Sequence, residues 1–224
     1  KPNNATLIVT GDVEMSELKA KLEKSLGKMK KGDVPTITYN KPKTGTKNTL
    51  YLMNRPESPQ SVIIGGYLTG KYGEVPEVAV EQMVNVLGGE FTSRINMNLR
   101  EDKHWAYGAY GFVMDAQQER PFVVYAPVQT DKTAESILEL KKELSEFVST
   151  RPVTQAELDK VKNNQILALP GQWETNSAVN NSLYNIVKYD LPDDYYQTYD
   201  ANIKNLTLSD IKSVSNKMVK PGEV

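Results

Sequence analysis

An α+β domain, with a mostly antiparallel sheet and helices packed on one face, is the fold class this sequence predicts. Two observations carry it. Short runs rich in β-branched and aromatic residues cluster between residues 49 and 128, and apolar stripes at 3–4 spacing follow from residue 131 to the end. Gly, Pro and capping residues fall between these patterns rather than inside them, as at Gly88-Gly89 and Pro170-Gly171.

The elements follow in order. Ala5–Thr10 (ATLIVT) reads as a short apolar strand, and Gly11-Asp12 turns the chain. Met15, Leu18, Leu22, Leu26 and Met29 then mark a helix. Lys41-Pro42-Lys43-Thr44-Gly45-Thr46-Lys47 is rich in breaker residues and reads as a linker. Thr49–Met53 and Gln60–Leu68 are expected strands. Pro76 opens a helix and Gly88-Gly89 closes it, with Val80, Met83, Val84 and Leu87 as its apolar stripe. Phe91, Ile95 and Leu99 share one face of a short helix that ends in a charged turn. Tyr107–Met114 and Phe122–Val128 are the next strands. A helix over Asp131–Val148 turns Ile137, Leu140, Leu144, Phe147 and Val148 inward. Thr154-x-x-Glu157 and Thr207-x-x-Asp210 are capping boxes that open two more helices. Between them lies a helix bearing Val179, Leu183, Ile186 and Val187.

Composition narrows the function. At 224 residues and 39% hydrophobic, the chain can bury one sizeable core or two small ones. A net charge of −1 argues against nucleic acid and an anionic membrane as partners. Residues 1–48 hold ten lysines against five acids, but that basic excess meets the linker and reads as a solvated tether. No apolar run reaches membrane-spanning length. The absence of cysteine excludes thiolate metal sites, disulfides and cysteine nucleophiles, and suits the periplasm as well as the cytoplasm. The single histidine, His104, has no partner motif for a triad or a metal site, so this chain is expected to bind no cofactor.

One stretch carries chemistry. In Phe91–Gly111 (FTSRINMNLREDKHWAYGAYG), the charged turn sets Arg100 seven residues before Tyr107, so that a guanidinium and a phenol can meet at one end of a sheet. Arg offers a fixed fork of donors and Tyr one hydroxyl. Together they suit a peptide carbonyl or the oxyanion it becomes. An ordinary structural reading stands beside this one: a helix-terminal Arg on the dipole and a Tyr on a half-buried strand.

Helix, charged turn, and Trp105-Ala106-Tyr107 with Arg100 upstream also resemble the second half of the insulinase/pitrilysin-type (M16) zinc peptidases. The resemblance implies a LuxS/mitochondrial-processing-peptidase-like metallohydrolase half. It implies that Arg100 and Tyr107 bind substrate and stabilise the oxyanion, opposite a zinc bound elsewhere. The family's metal motif, H-x-x-E-H, cannot be present in a chain with one histidine. Zinc is therefore expected only in the complete enzyme, carried by an H-x-x-E-H-bearing half or subunit, and the isolated chain is expected to be inactive. A peptide is the implied substrate. The two ends match, Lys1-Pro2-Asn3-Asn4 against Lys220-Pro221-Gly222, and divide the chain by analogy with the family's repeat. Residues 1–33 would be the strand–helix tail of the preceding repeat, 34–47 a linker, and 48–224 the domain proper. The Ala5–Thr10 strand would then pair into its own sheet or across to a second copy, giving a homodimer. The rival readings are a non-catalytic scaffold of the same fold, like the respiratory-complex core proteins, and a stand-alone peptide-binding module.

Overall fold

Ten-residue strands with every second side chain apolar and inward are the foundation of the larger part of the molecule. The computed structural model describes residues 1–40, 42, 48–116 and 118–224. Apart from Pro42, the Lys41–Lys47 linker lies outside the described residues. The chain divides into two compact units, one of Lys1–Lys43 and Leu167–Thr198 and one of Thr44–Ile166 and Tyr199–Val224.

In the larger unit, β1 (Gln60–Thr69), β2 (Tyr110–Val113) and β3 (Arg120–Gln129) form an antiparallel sheet in the order β1-β3-β2. Register runs from Gln60 opposite Gln129 to Thr69 opposite Arg120, and Tyr110 faces Tyr125 across the other edge. Phe122, Val124, Ala126 and Val128 point from β3 into the core. There they meet Leu87 from the helix end after α2 (Glu77–Val84), Leu140, Leu144 and Phe147 from α4 (Thr133–Phe147), and Ile211 and Met218 from α8 (Leu208–Met218). Each large side chain so buried contributes about 1.5–3 kcal/mol. Gly88 and Gly111 allow the closest approach. A Cβ on Gly88 would sit 2.2 Å from the Gly111 nitrogen, so only glycine lets this helix end rest on β2.

Tyr67 fastens the sheet to α8. Its hydroxyl donates to the Met218 carbonyl at 3.0 Å and accepts from the Lys220 N–H at 2.8 Å, while its ring stacks on Phe122 at 5.2 Å. Burial pushes its phenol well above the ordinary tyrosine range. Arg120, at the start of β3 and the same end of the sheet, fastens it to α2. It is 4% exposed, pairs Glu77 at 2.8 and 3.0 Å, and donates to the Gly70 and Lys71 carbonyls.

The sheet's other face departs from the usual antiparallel rule of apolar inside and polar outside. Its outward positions include Val62, Ile64, Tyr110 and Phe112, all exposed, and Ile64 is 70% exposed. No charged side chain stands among the outward positions of the three paired strands.

The smaller unit holds α1 (Met15–Leu26), α6 (Asn176–Tyr189) and the start of α7 (Tyr195–Asn205). Thr175 caps α6 by accepting from the Ala178 N–H at 3.1 Å, and Asp190 ends it in the left-handed region at φ 51. Trp173 and Tyr196 meet edge to face at 5.8 Å.

Several expectations are confirmed and some are corrected. The strands over 60–68 and 122–128 and the helices over 131–148, 154 onward, 179–187 and 207 onward form where expected, α5 occupying Gln155–Ala168. Both capping boxes close: the Glu157 carboxylate accepts from the Thr154 N–H at 2.9 Å, and the Asp210 carboxylate accepts from the Thr207 N–H at 2.9 Å. Ala5–Thr10 and Thr49–Met53 are not strands. The first is held instead to α6, with the Thr10 hydroxyl donating to the Asn176 carbonyl at 3.0 Å. In the second, Tyr51, Leu52 and Met53 are all more than four-fifths exposed. Apolar runs of this length become strands only where a neighbouring strand takes their backbone bonds. α7 has no counterpart among the helices expected from periodicity, since its buried residues are Tyr199 and Ile203.

Candidate functional site

The geometry of the Arg100 region follows from how its helix winds. Ser93 precedes α3 (Arg94–Asn96), which widens at once into a π-helical turn over Met97–Asp102. The Lys103 N–H reaches the Asn98 carbonyl at 3.0 Å, five residues back. Such a turn inserts one residue into the helical repeat and is often found at functional sites. Ile95 and Leu99 are buried as their spacing predicts, but Phe91 is not with them. It precedes the helix in a turn and stands 57% exposed, a correction to the face assigned from spacing alone.

From Arg100 the chain must reverse into the sheet. His104 makes the reversal in the left-handed region at φ 58, where a non-glycine residue is uncommon. Its Nδ1 lies 3.1 Å from the Arg100 carbonyl, which can only accept, so the proton belongs on Nδ1. Gln129 at the end of β3 holds the turn from the other side. Its side chain donates to the His104 carbonyl at 3.1 Å and its backbone N–H to the Trp105 carbonyl at 2.8 Å. Ala106 then bridges to Val128 and turns its side chain toward the core, which leaves Tyr107 on the opposite face at 85% exposed.

The two residues singled out by sequence therefore meet. The Arg100 guanidinium carbon lies 5.4 Å from the centre of the Tyr107 ring and 4.3 Å from the centre of the Phe91 ring. The Arg100 Nε has Glu101 at 3.4 Å. Beneath them is Asn96, 1% exposed. Its amide donates to the Phe91 carbonyl at 2.6 Å and its side-chain oxygen accepts from the Ala109 N–H at 3.0 Å. Neither Phe91 nor Asn96 was named from sequence as part of the site. No spacing rule separates an outward Phe from an inward one, and a helical Asn ordinarily faces water.

The one histidine stands in the turn, exposed and bonded to backbone, and the chain has no cysteine. Among the described residues no three His, Cys, Asp or Glu side chains gather where a metal ion could be held. The described residues do not by themselves fit a zinc ion. A cavity of about 680 Å³ opens on the opposite side of α3, lined by Arg94, Asn98, Glu143, Arg151 and Glu157 among others. Arg94, Glu143, Arg151 and Glu157 in its lining are paired with one another or with neighbouring groups of the protein. Arg94 forks onto Glu157 at 2.7 and 2.8 Å, and Arg151 pairs Glu143 and Glu146. Burial raises the Glu157 pKa, but Arg94 and the Thr154 N–H and hydroxyl outweigh it and hold the carboxyl at about 2.

This arrangement sits on a fold that other proteins share. Residues 1–165 match the family described as "Peptidase M16 inactive domain", and the chain belongs to that family. It is 27% identical over 224 residues to the zinc protease PqqE of Helicobacter pylori (strain ATCC 700392 / 26695), covering 98% of this chain and 50% of that protein. It is 24% identical over 211 residues to the non-peptidase homolog YmxG of the same organism, covering 93% and 48%. The crystal structure of the peptidase M16 inactive domain from Pseudomonas fluorescens superimposes with a TM-score of 0.81 at 21% identity, over 95% of this chain and 50% of that one. The chain spans about half the length of the curated relatives it matches. The half-peptidase fold read from Phe91–Gly111 thus extends over most of the sequence. Among the described residues no helix is long and apolar enough to cross a membrane.

Proposed function

We propose that this chain is the substrate-binding half of an M16-type zinc endopeptidase, working opposite an H-x-x-E-H-bearing half that carries the metal. Arg100 holds a peptide carbonyl of the substrate, and the Tyr107 hydroxyl donates to the oxyanion that forms as the carbonyl is attacked. The observation that carries this reading is the contact of the two side chains on an exposed surface, with guanidinium and ring 5.4 Å apart. Family membership supports it, and so does the relative PqqE, described as a zinc protease. Residues 48–224 form the working domain in this reading, and 1–33 belong with the half before it.

The experiment joins this chain to a zinc-bearing M16 half and follows cleavage of a quenched-fluorescence peptide. Tyr107→Phe should lower kcat by roughly 10²–10³, the usual cost of one oxyanion donor. Arg100→Ala should lower kcat/KM at least as far. Normal turnover in both variants sinks the reading. The isolated chain should neither cleave the peptide nor bind zinc stoichiometrically.

A second reading has its own support. YmxG is described as a non-peptidase homolog, so a scaffold role on this fold is the rival. In that case the joined protein would be inactive whichever residue stood at 100 or 107.

A further inference from the structure

Arg100 is held in a way that a simple Arg/Tyr pair does not require. Its guanidinium lies over two rings, at 4.3 Å from Phe91 and 5.4 Å from Tyr107. Both rings are more than half exposed. Burial of their apolar area thus cannot account for their placement, while a cation near two ring faces gains from both. Such contact leaves the terminal N–H donors of the guanidinium for a ligand.

The segments that carry the two rings are tied together by a buried side chain. Asn96 ties the backbone carrying Phe91 to the backbone two residues beyond Tyr107, at 2.6 and 3.0 Å. Because Asn96 is buried, both bonds are made away from competing water. One side chain therefore spans the two segments that bear the rings.

We infer that Phe91 is the specificity-determining residue of the Arg100/Tyr107 site and Asn96 its positioning residue. Together they make a clamp that accepts a peptide carbonyl flanked by a large apolar side chain. This rests on the function proposed above and names the substrate class for it. A neutral carbonyl is favoured over a terminal carboxylate, since the Glu101 carboxylate already stands 3.4 Å from the Arg100 Nε. A second anion there would face a like charge. The apolar preference follows from the exposed Phe91 ring: a Phe or Leu side chain laid on it leaves water as the carbonyl meets the guanidinium N–H donors.

The test uses the ¹⁵N-labelled chain itself, with N-acetyl-phenylalanine amide, N-acetyl-serine amide and N-acetyl-phenylalanine free acid as probes. The Arg100 Nε–Hε resonance reports the clamp, since two flanking rings shift it strongly. The phenylalanine amide should perturb this resonance and bind at least about five-fold more tightly than the serine amide, the equivalent of one exposed cation–π or small apolar contact. The free acid should bind no better than the amide. Phe91→Ala should abolish the preference and Phe91→Tyr should restore it. Asn96→Asp, which loses the donor to the Phe91 carbonyl, should move the Arg100 resonance toward its solvent value and weaken binding. Equal affinity for the two amides, no binding of either, or an unchanged preference in Phe91→Ala would overturn the clamp. If Asn96→Asp fails to fold, the two Phe91 variants still decide the matter, because that side chain is exposed. Binding without any effect of Arg100 or Tyr107 on turnover in the joined enzyme would instead overturn the peptidase reading and leave the clamp standing.

Discussion

Arg94 and Arg100 lie six residues apart on one continuous helical segment, yet the protein treats them as opposites. Arg94 is 13% exposed and makes four hydrogen bonds, two to the Glu157 carboxylate and one each to the Arg151 and Pro152 carbonyls. Its ring contact, with Phe147 at 5.1 Å, adds to the same internal knot. Arg100 is more exposed, lies over two exposed rings, and among the described residues has the longer 3.4 Å contact with Glu101. One fork is spent on holding the chain together. The other is oriented without being consumed, as a binding residue must be.

The sharpest way to break this contrast is by stability. Arg94→Ala would strand a part-buried carboxylate and two carbonyls, at a cost of about 3 kcal/mol, or a Tm lower by roughly 6–12 °C for a chain of this size. Arg100→Ala should stay within about 1 kcal/mol of the parent by the same thermal melt, since no buried group loses its partner. A large loss in Arg100→Ala would make both arginines structural and erase the distinction.

Acid should discriminate next. The Glu157 carboxyl falls from the ordinary 4.5 to about 2 on folding, so its contribution is present above pH 4.5 and is lost as pH falls toward 2. Discounted for solvent screening, that contribution is about 1 kcal/mol. Denaturant melts between pH 5 and pH 2.5, in the ordinary range of acid unfolding, should therefore show a steeper decline in the parent than in Arg94→Ala. Parallel curves would remove Arg94 as the cause of the depressed value. The smallest expected effect is Thr154→Ala, about 1 kcal/mol through loss of the cap and of the hydroxyl's bond to Glu157. It should leave the Arg100 side of the helix untouched, as read from an unaltered Arg100 Nε–Hε signal.

Much of this architecture was legible in the residues, for local reasons. Thr154, Thr207, Pro170-Gly171 and the stripes on α4 and α8 act within a few residues of themselves, and there the structure agrees. The seven-residue spacing of Arg100 and Tyr107 also became a contact, through a π turn and a left-handed histidine that spacing does not announce. What failed depended on partners far along the chain. Ala5–Thr10 and Thr49–Met53 have strand composition but, among the described residues, take no place in the sheet. Phe91 had the correct period for the buried face, yet the helix begins only at Arg94 and the ring turns outward onto a cation. The Asn96 side chain reaches a backbone N–H thirteen residues further on, a link no local pattern encodes. α7 was missed because its buried side is just Tyr199 and Ile203, too sparse for a stripe.

The uncharged outer face of the sheet has a consequence for anyone handling the protein. Val62, Ile64, Tyr110, Phe112 and Met114 present a water-shunning surface while the interior beneath them is fully packed. Such a molecule should behave in some assays as though loosened when it is not. An environment-sensitive dye should fluoresce on the native chain at neutral pH, with near-ultraviolet circular dichroism still intact, a combination that separates surface greasiness from a molten state. Ile64→Lys should quench the dye signal and raise the concentration at which the protein stays clear, without shifting its melt.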